Sequence, residues 1–102
     1  MRLVVKYGGS SLADLDHIRQ VADQVITHHA RADQLVVVVS AMGKTTNQLL
    51  AQAQQLTPLP DPRSTDLLLS TGEQVSASYL AIELNRRQHP AVALSGGQAG
   101  IL

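Results

Sequence analysis

The chain has 102 residues, no cysteine and a formal net charge of zero. That length suits one small domain and not two. The charge balance leaves no basic surface for nucleic acid or anionic lipid, and the missing thiols exclude a disulfide framework or a thiolate metal site.

Leu3-Val4-Val5 opens a first strand. Lys6-Tyr7-Gly8-Gly9-Ser10-Ser11 follows it and precedes a long amphipathic run. Two glycines permit backbone conformations closed to other residues and let a ligand approach the main chain. Ser10 and Ser11 are good N-caps. The free N–H groups of such a turn form a natural anion site, with Lys6 adding positive charge at its edge; a plain strand-to-helix turn with a solvated lysine is the simpler alternative.

A first helix is predicted from about Leu12 to His28, because apolar residues recur there at steps of three and four. Ser11 and Asp14 resemble a capping box for it. Leu35-Val36-Val37-Val38-Val39 is a continuous apolar run that suits a strand buried on both faces. Ser40-Ala41-Met42-Gly43 is the turn after it, and a helix from Thr45 to Leu56 follows. Pro58, Pro60 and Pro62 mark a loop. A short helix is expected over Thr65 to Ser70, a break at Gly72, and a further helix from Glu73 to Arg87. Ala91-Val92-Ala93-Leu94 reads as a third strand, and Ser95-Gly96-Gly97-Gln98-Ala99-Gly100 as another glycine-rich turn.

Strands alternating with helices predict an α/β fold with parallel pairing and right-handed crossovers. Ligands in such sheets sit beyond the carboxyl ends of the strands. All three predicted strands end in turns of small or polar residues, so these turns should lie along one edge.

Two familiar phosphate motifs fail. Gly43-Lys44-Thr45 looks like the end of a P-loop, but the position five residues before Gly43 is Val38. Ser95 to Gly100 nearly fits the dinucleotide fingerprint, but serine replaces its first glycine, which also disfavours a dinucleotide-binding domain. His17, His28, His29 and His89 lack zinc-type spacing, and no metal-ligand set is expected. No stretch is long and apolar enough to span a membrane, and the start lacks the layout of a signal peptide; a cytoplasmic protein is expected.

Only two lysines, Lys6 and Lys44, and two glutamates, Glu73 and Glu83, are present. Each lysine lies beside one of the turns. Ser70-Thr71-Gly72-Glu73 matches a capping box, which would make Glu73 a helix cap. Glu83 and Arg87, four residues apart, suit a surface ion pair.

Four segments carry a resemblance. Lys6 to Leu12 looks like the opening signature of the aspartate kinase (aspartokinase) family. Val37-Val38-Val39-Ser40-Ala41-Met42-Gly43-Lys44-Thr45-Thr46-Asn47 is similar to its second block, Leu67-Leu68-Leu69-Ser70-Thr71-Gly72-Glu73-Gln74-Val75-Ser76 to its third, and Ser95 to Gly100 to its fourth. The departures are small: tyrosine at Tyr7 where phenylalanine is also common, and glycine at Gly97 where many members have serine.

The resemblance implies a three-layer α/β fold of the amino-acid kinase type, with a mainly parallel sheet and helices on both faces, here truncated. It implies transfer of the ATP γ-phosphoryl group to the side-chain carboxylate of L-aspartate, with Mg²⁺ accompanying ATP. Lys6 would act catalytically on the transferring phosphoryl group. Lys6, Tyr7, Gly8, Gly9 and Ser40 would form the nucleotide side. Thr45, Thr46 and Glu73 would hold L-aspartate, with Glu73 pairing with its α-ammonium. The chain is expected to be the N-terminal, substrate-side portion of a kinase domain, lacking the rest of that domain and the regulatory ACT domains. It is expected to be inactive alone and to associate with itself as a homo-oligomer. Glutamate kinase, or a non-catalytic ligand-binding domain of the same fold, are the competing readings.

Overall fold

The structure is a computed structural model and describes residues 1–95. Strand β1 (Arg2–Tyr7) leads into a 3-10 turn (Gly9–Leu12) and helix α1 (Leu15–His29). Strand β2 (Gln34–Val39), helix α2 (Thr45–Leu56) and helix α3 (Pro62–Arg86) follow. β1 and β2 pair in parallel, from Arg2 opposite Gln34 to Tyr7 opposite Val39.

One face of this sheet is covered. Tyr7, Leu35, Val37 and Val39 pack against a buried cluster of Leu12, Ile18, Val21, Ala22, Val25, Leu80 and Leu84. The cluster comes from the 3-10 turn, α1 and α3, so an aliphatic core joins both helices to the strands, as the near absence of aromatics requires. The other face is open among the described residues: Val36 is 44 % and Val38 37 % exposed. β2 was expected to be buried on both faces; two strands with α1 and α3 packed on one side bury only one.

The first helix starts later than expected. Asp14, not a serine, is the N-cap of α1, and its carboxylate accepts the His17 N–H at 2.9 Å. Asp14 thus replaces the predicted capping box. The hydrogen bonds from the His17 side chain and backbone hold its carboxyl below the usual range. α2 has the predicted bounds.

The larger correction is α3. Two helices broken at Gly72 were expected, but one 25-residue helix runs through it. Its start is set upstream, where Asp61 caps Ser64 N at 2.9 Å and Pro62 occupies the first turn, both favoured there. Gly72 is buried inside α3. A capping box at Ser70–Glu73 therefore has no helix start to cap.

The third strand does not form among the described residues. Pro90 has no N–H to give a ladder. Both backbone groups of Ala91 are taken by Asn85, whose Nδ2 donates to Ala91 O at 3.0 Å and whose Oδ1 accepts from Ala91 N at 3.0 Å. The glycine-rich turn expected from Ser95 to Gly100 lies, beyond Ser95, outside the described residues. Among those residues, no helix is long and apolar enough to cross a membrane.

Candidate active site

Parallel register sends the chain out of β1 and β2 at the same sheet edge. Gly8 is extended (φ −89°, ψ 177°), and Ser11 N donates to its carbonyl at 3.1 Å to close the 3-10 turn. Ser40 N donates to Tyr7 O at 3.2 Å, and Gly43 N to Gly9 O at 3.0 Å. These two bonds join the turns side by side.

The glycines differ in what they permit. A Cβ on Gly9 would lie 3.0 Å from Gly43 O and 3.3 Å from Ala41 O, so only glycine allows this approach. Gly43 has φ +50°, a left-handed conformation that favours glycine. A Cβ on Gly8 would meet nothing within 4 Å. Packing does not require glycine there, and its surroundings are open to a ligand.

The predicted site residues fall into three groups. Lys6 is exposed on the open face of β1, opposite Val38, and takes part in no ion pair among the described residues. Its neighbour Tyr7 points to the other face and packs against the core cluster; burial raises the pKa of its phenol. The Tyr7 ring therefore serves packing, and only its backbone belongs to the turn.

Ser40, Thr45 and Thr46 sit on the second turn and the start of α2. Ser40 is half-buried, and its hydroxyl makes only a long bond, donating to Ala41 O at 3.4 Å. Thr45, the first residue of α2, is half-buried with its N–H on Met42 O at 2.9 Å. Thr46 is exposed.

Glu73 is exposed on α3, directly after Gly72. Gly72 packs against this second turn: a Cβ there would lie 2.8 Å from the Ala41 Cβ and 3.3 Å from the Thr45 Cγ2. Three signature segments thus meet at one edge of the sheet, held by the Gly9–Gly43 and Gly72–Ala41 contacts.

A separate groove is different in character. A groove of about 690 Å³ runs beside β2 toward α3 and residues 89–95. Glu73 and Gln74 touch it, but its walls include Leu35, Val37, Leu80 and Leu84, and neither Lys6, Gly8 nor Thr46 lines it. It is the unfilled space beside a strand edge. Among the described residues, no group of three or more His, Cys, Asp or Glu can hold a metal ion.

Against known proteins, the model of the amino acid kinase family matches residues 1–101. The chain belongs to the amino acid kinase family. Within it, this member is 48 % identical over 99 residues to the aspartokinase of Geobacillus stearothermophilus, covering 97 % of this chain and 24 % of that protein. It is 46 % identical over 103 residues to the aspartokinase of Mycobacterium tuberculosis strain H37Rv, covering 100 % of this chain and 24 % of the relative. The crystal structure of aspartate kinase from Synechocystis superposes with a TM-score of 0.82 at 44 % identity, covering 90 % of this chain and 16 % of that one. The chain spans about a quarter of the length of the curated relatives it matches. The α/β fold with parallel strands read from the residues is the fold of this amino acid kinase.

Two groupings escaped the sequence reading. Glu83 is not a surface partner of Arg87 alone. It is 9 % exposed and accepts from Arg86 Nε at 2.9 Å, Arg86 Nη2 at 2.8 Å and Arg87 Nε at 2.6 Å. Arg86 at the i+3 position was the available signal. His29 Nδ1 and His89 Nε2 lie 2.9 Å apart; their 60-residue separation gave no signal at all.

Proposed function

We propose that this amino acid kinase chain is the substrate-side portion of an aspartate kinase, with the remainder of the kinase domain and any regulatory domains on further polypeptide. The reaction is transfer of the γ-phosphoryl group of ATP to the side-chain carboxylate of L-aspartate. A carboxylate oxygen forms the new bond to phosphorus, the bond from phosphorus to the β–γ bridging oxygen breaks, and ADP leaves with that electron pair. The product is the acyl phosphate 4-phospho-L-aspartate.

The observation that carries this reading is the meeting of the Gly8-Gly9 turn, the Ser40–Thr46 segment and the Gly72-Glu73 step at one sheet edge. The reaction needs donors and positive charge around the transferring group more than it needs a base. The attacking carboxylate, with a free pKa of about 3.9, is ionised at neutral pH. A nucleophile–base pair is therefore not required.

Lys6, free of ion pairs among the described residues, stabilises charge on the phosphoryl group. The Gly8 and Gly9 N–H groups, with the backbone at Tyr7, cradle phosphate oxygens, and Ser40 lines the nucleotide side. Thr46, with Thr45 beside it, holds the aspartate. Glu73 pairs with the α-ammonium and so selects an amino acid over a plain dicarboxylate. ATP would supply the phosphoryl group, and Mg²⁺ accompanying it would neutralise its phosphates, held largely by phosphate oxygens and water. The proposal includes a cytoplasmic setting and self-association, which the exposed Leu67 and Ile82 on α3 support.

Isothermal titration of the chain with L-aspartate, with and without Mg-ATP, tests the reading. Binding of L-aspartate in preference to L-glutamate supports an aspartate kinase. Preference for L-glutamate rejects it in favour of a glutamate kinase.

A further inference from the structure

Gly72 is an odd residue for its place. It sits in the interior of a 25-residue helix, where glycine is less favourable than almost any residue but proline. Its helical backbone does not ask for glycine. What asks for it is the neighbour. A Cβ at this position would stand 2.8 Å from the Ala41 Cβ, 3.3 Å from the Thr45 Cγ2 and 3.8 Å from the Ala41 Cα.

None of these atoms can swing aside. Ala41 is 3 % exposed and sits in the turn between β2 and α2, and its Cβ is fixed to the backbone. Thr45 is β-branched and begins α2, so its methyl is confined. One turn further along α3, Ser76 is fully buried and donates to Gly72 O at 3.3 Å, so small residues keep this stretch of the helix close to its neighbours. An added methyl group must move α3 or the Ala41–Thr45 turn as a body.

We infer that Gly72 is a positioning residue: the missing side chain sets how close Glu73 on α3 lies to Thr45 and Thr46 on α2. Glu73 directly follows Gly72, and Thr46 directly follows the Thr45 methyl that Gly72 faces. A change at this one contact is therefore passed to both groups. The inference rests on the reading above, in which Glu73 takes the α-ammonium and Thr46 the rest of the amino acid. Widening the contact separates the two halves of that site. The loss should fall on ligands that need both halves.

Methyl transposition tests this. The unaltered sequence, Gly72→Ala, and the double variant Gly72→Ala with Ala41→Gly are compared, each in the full-length polypeptide that carries this chain. The double variant moves the methyl from the turn to the helix and restores the original number of methyls at the contact. Each is titrated with L-aspartate and with succinate, the same dicarboxylate without an ammonium group, after circular dichroism and a thermal melt establish folding. The expected result is about a tenfold or greater loss of L-aspartate affinity in Gly72→Ala, the scale on which sub-ångström to 1 Å misplacements act. Succinate affinity should change little, and the double variant should recover most of the L-aspartate affinity.

Equal losses for both ligands, an unchanged L-aspartate affinity, or a folded double variant without recovery each overturn the inference. Should Gly72→Ala fail to fold, Ala41→Gly alone decides, since removing the opposite methyl alters the same spacing; an unaltered preference for L-aspartate over succinate then overturns it. The unaltered chain is measured first. If it binds no L-aspartate, the substrate reading fails and takes the inference with it. That result is distinct from a wild-type chain that binds L-aspartate and a Gly72→Ala chain that binds it equally well.

Discussion

The backbone N–H of Gly43 donates to the carbonyl of Gly9 at 3.0 Å, and this bond holds the turn after β2 against the turn after β1. The approach leaves no room for a side chain on Gly9, whose Cβ would meet two backbone oxygens. Gly9→Ala should therefore destabilise the chain by about 1–3 kcal/mol, as overpacking against rigid neighbours does. Gly8→Ala should stay within about 0.5 kcal/mol, because a Cβ there meets nothing and φ is −89°. Thermal or denaturant unfolding of both variants checks the contrast. Equal destabilisation would refute it.

Glu73→Ala separates a ligand-binding carboxylate from a helix cap. Loss of a cap costs about 0.5–2 kcal/mol. Glu73 lies inside a continuous helix and is exposed, so the substitution should leave stability within about 0.5 kcal/mol. L-aspartate binding should disappear. A clear drop in stability with binding retained would return Glu73 to a structural role.

Acid stability should depend on Glu83. Side-chain hydrogen bonds from Arg86 and then Arg87 lower its pKa from 4.5 to about 2, against the opposing effect of burial. Arg87 also pairs with Asp23 and donates to Arg19 O at 3.0 Å on α1, so the cluster ties α3 to α1. A carboxylate whose folded pKa is depressed adds stability that is complete above its unfolded pKa. That stability is lost as pH falls toward the folded value. The melting temperature should fall on acidification from about pH 5 toward about pH 2. Asp14 and Asp61, whose pKa values are also lowered by hydrogen bonds from His17 and Ser64, contribute with the same sign. The difference between the unaltered chain and Glu83→Gln isolates the Glu83 share: it should be largest near neutrality and shrink with acid. A difference independent of pH would count against the cluster.

The His29–His89 contact fastens the end of α1 to the segment after α3. Its rings meet edge to face, with centroids 4.9 Å apart. A bond between two ring nitrogens needs one N–H and one free lone pair, and His89→Ala removes one of the two rings. Amides over residues 91–94 should then lose protection relative to the unaltered chain at the same pH, and equal protection would refute the role of the contact. Hydrogen exchange read residue by residue checks this.

Local chemistry was legible wherever an element depends on its own neighbours. The Leu35–Val39 run, the period of α1 and the bounds of α2 could be read directly, because strand and helix propensity act within a few residues. The parallel pairing followed from alternation of strands and helices. The placing of the first two turns along one edge followed from the pairing. The candidate residues Lys6, Gly8, Gly9, Ser40, Thr45, Thr46 and Glu73 were singled out as turn and signature chemistry, and the chain belongs to the amino acid kinase family.

Tertiary packing decided the rest. Gly72 reads as a helix breaker because glycine weakens isolated helices, yet the contact with Ala41 and Thr45 makes its small size necessary inside one helix. Ala91–Leu94 reads as a strand by composition, yet Asn85 occupies the backbone groups of Ala91 that a ladder would use. Tyr7 shares a motif with Lys6, yet the two-residue pleat turns its ring into the core and leaves Lys6 on the open face. Composition and periodicity are set by residues near in sequence. Whether a glycine breaks a helix, or a backbone group finds a strand, depends on atoms tens of residues away, and only their meeting in space determines it.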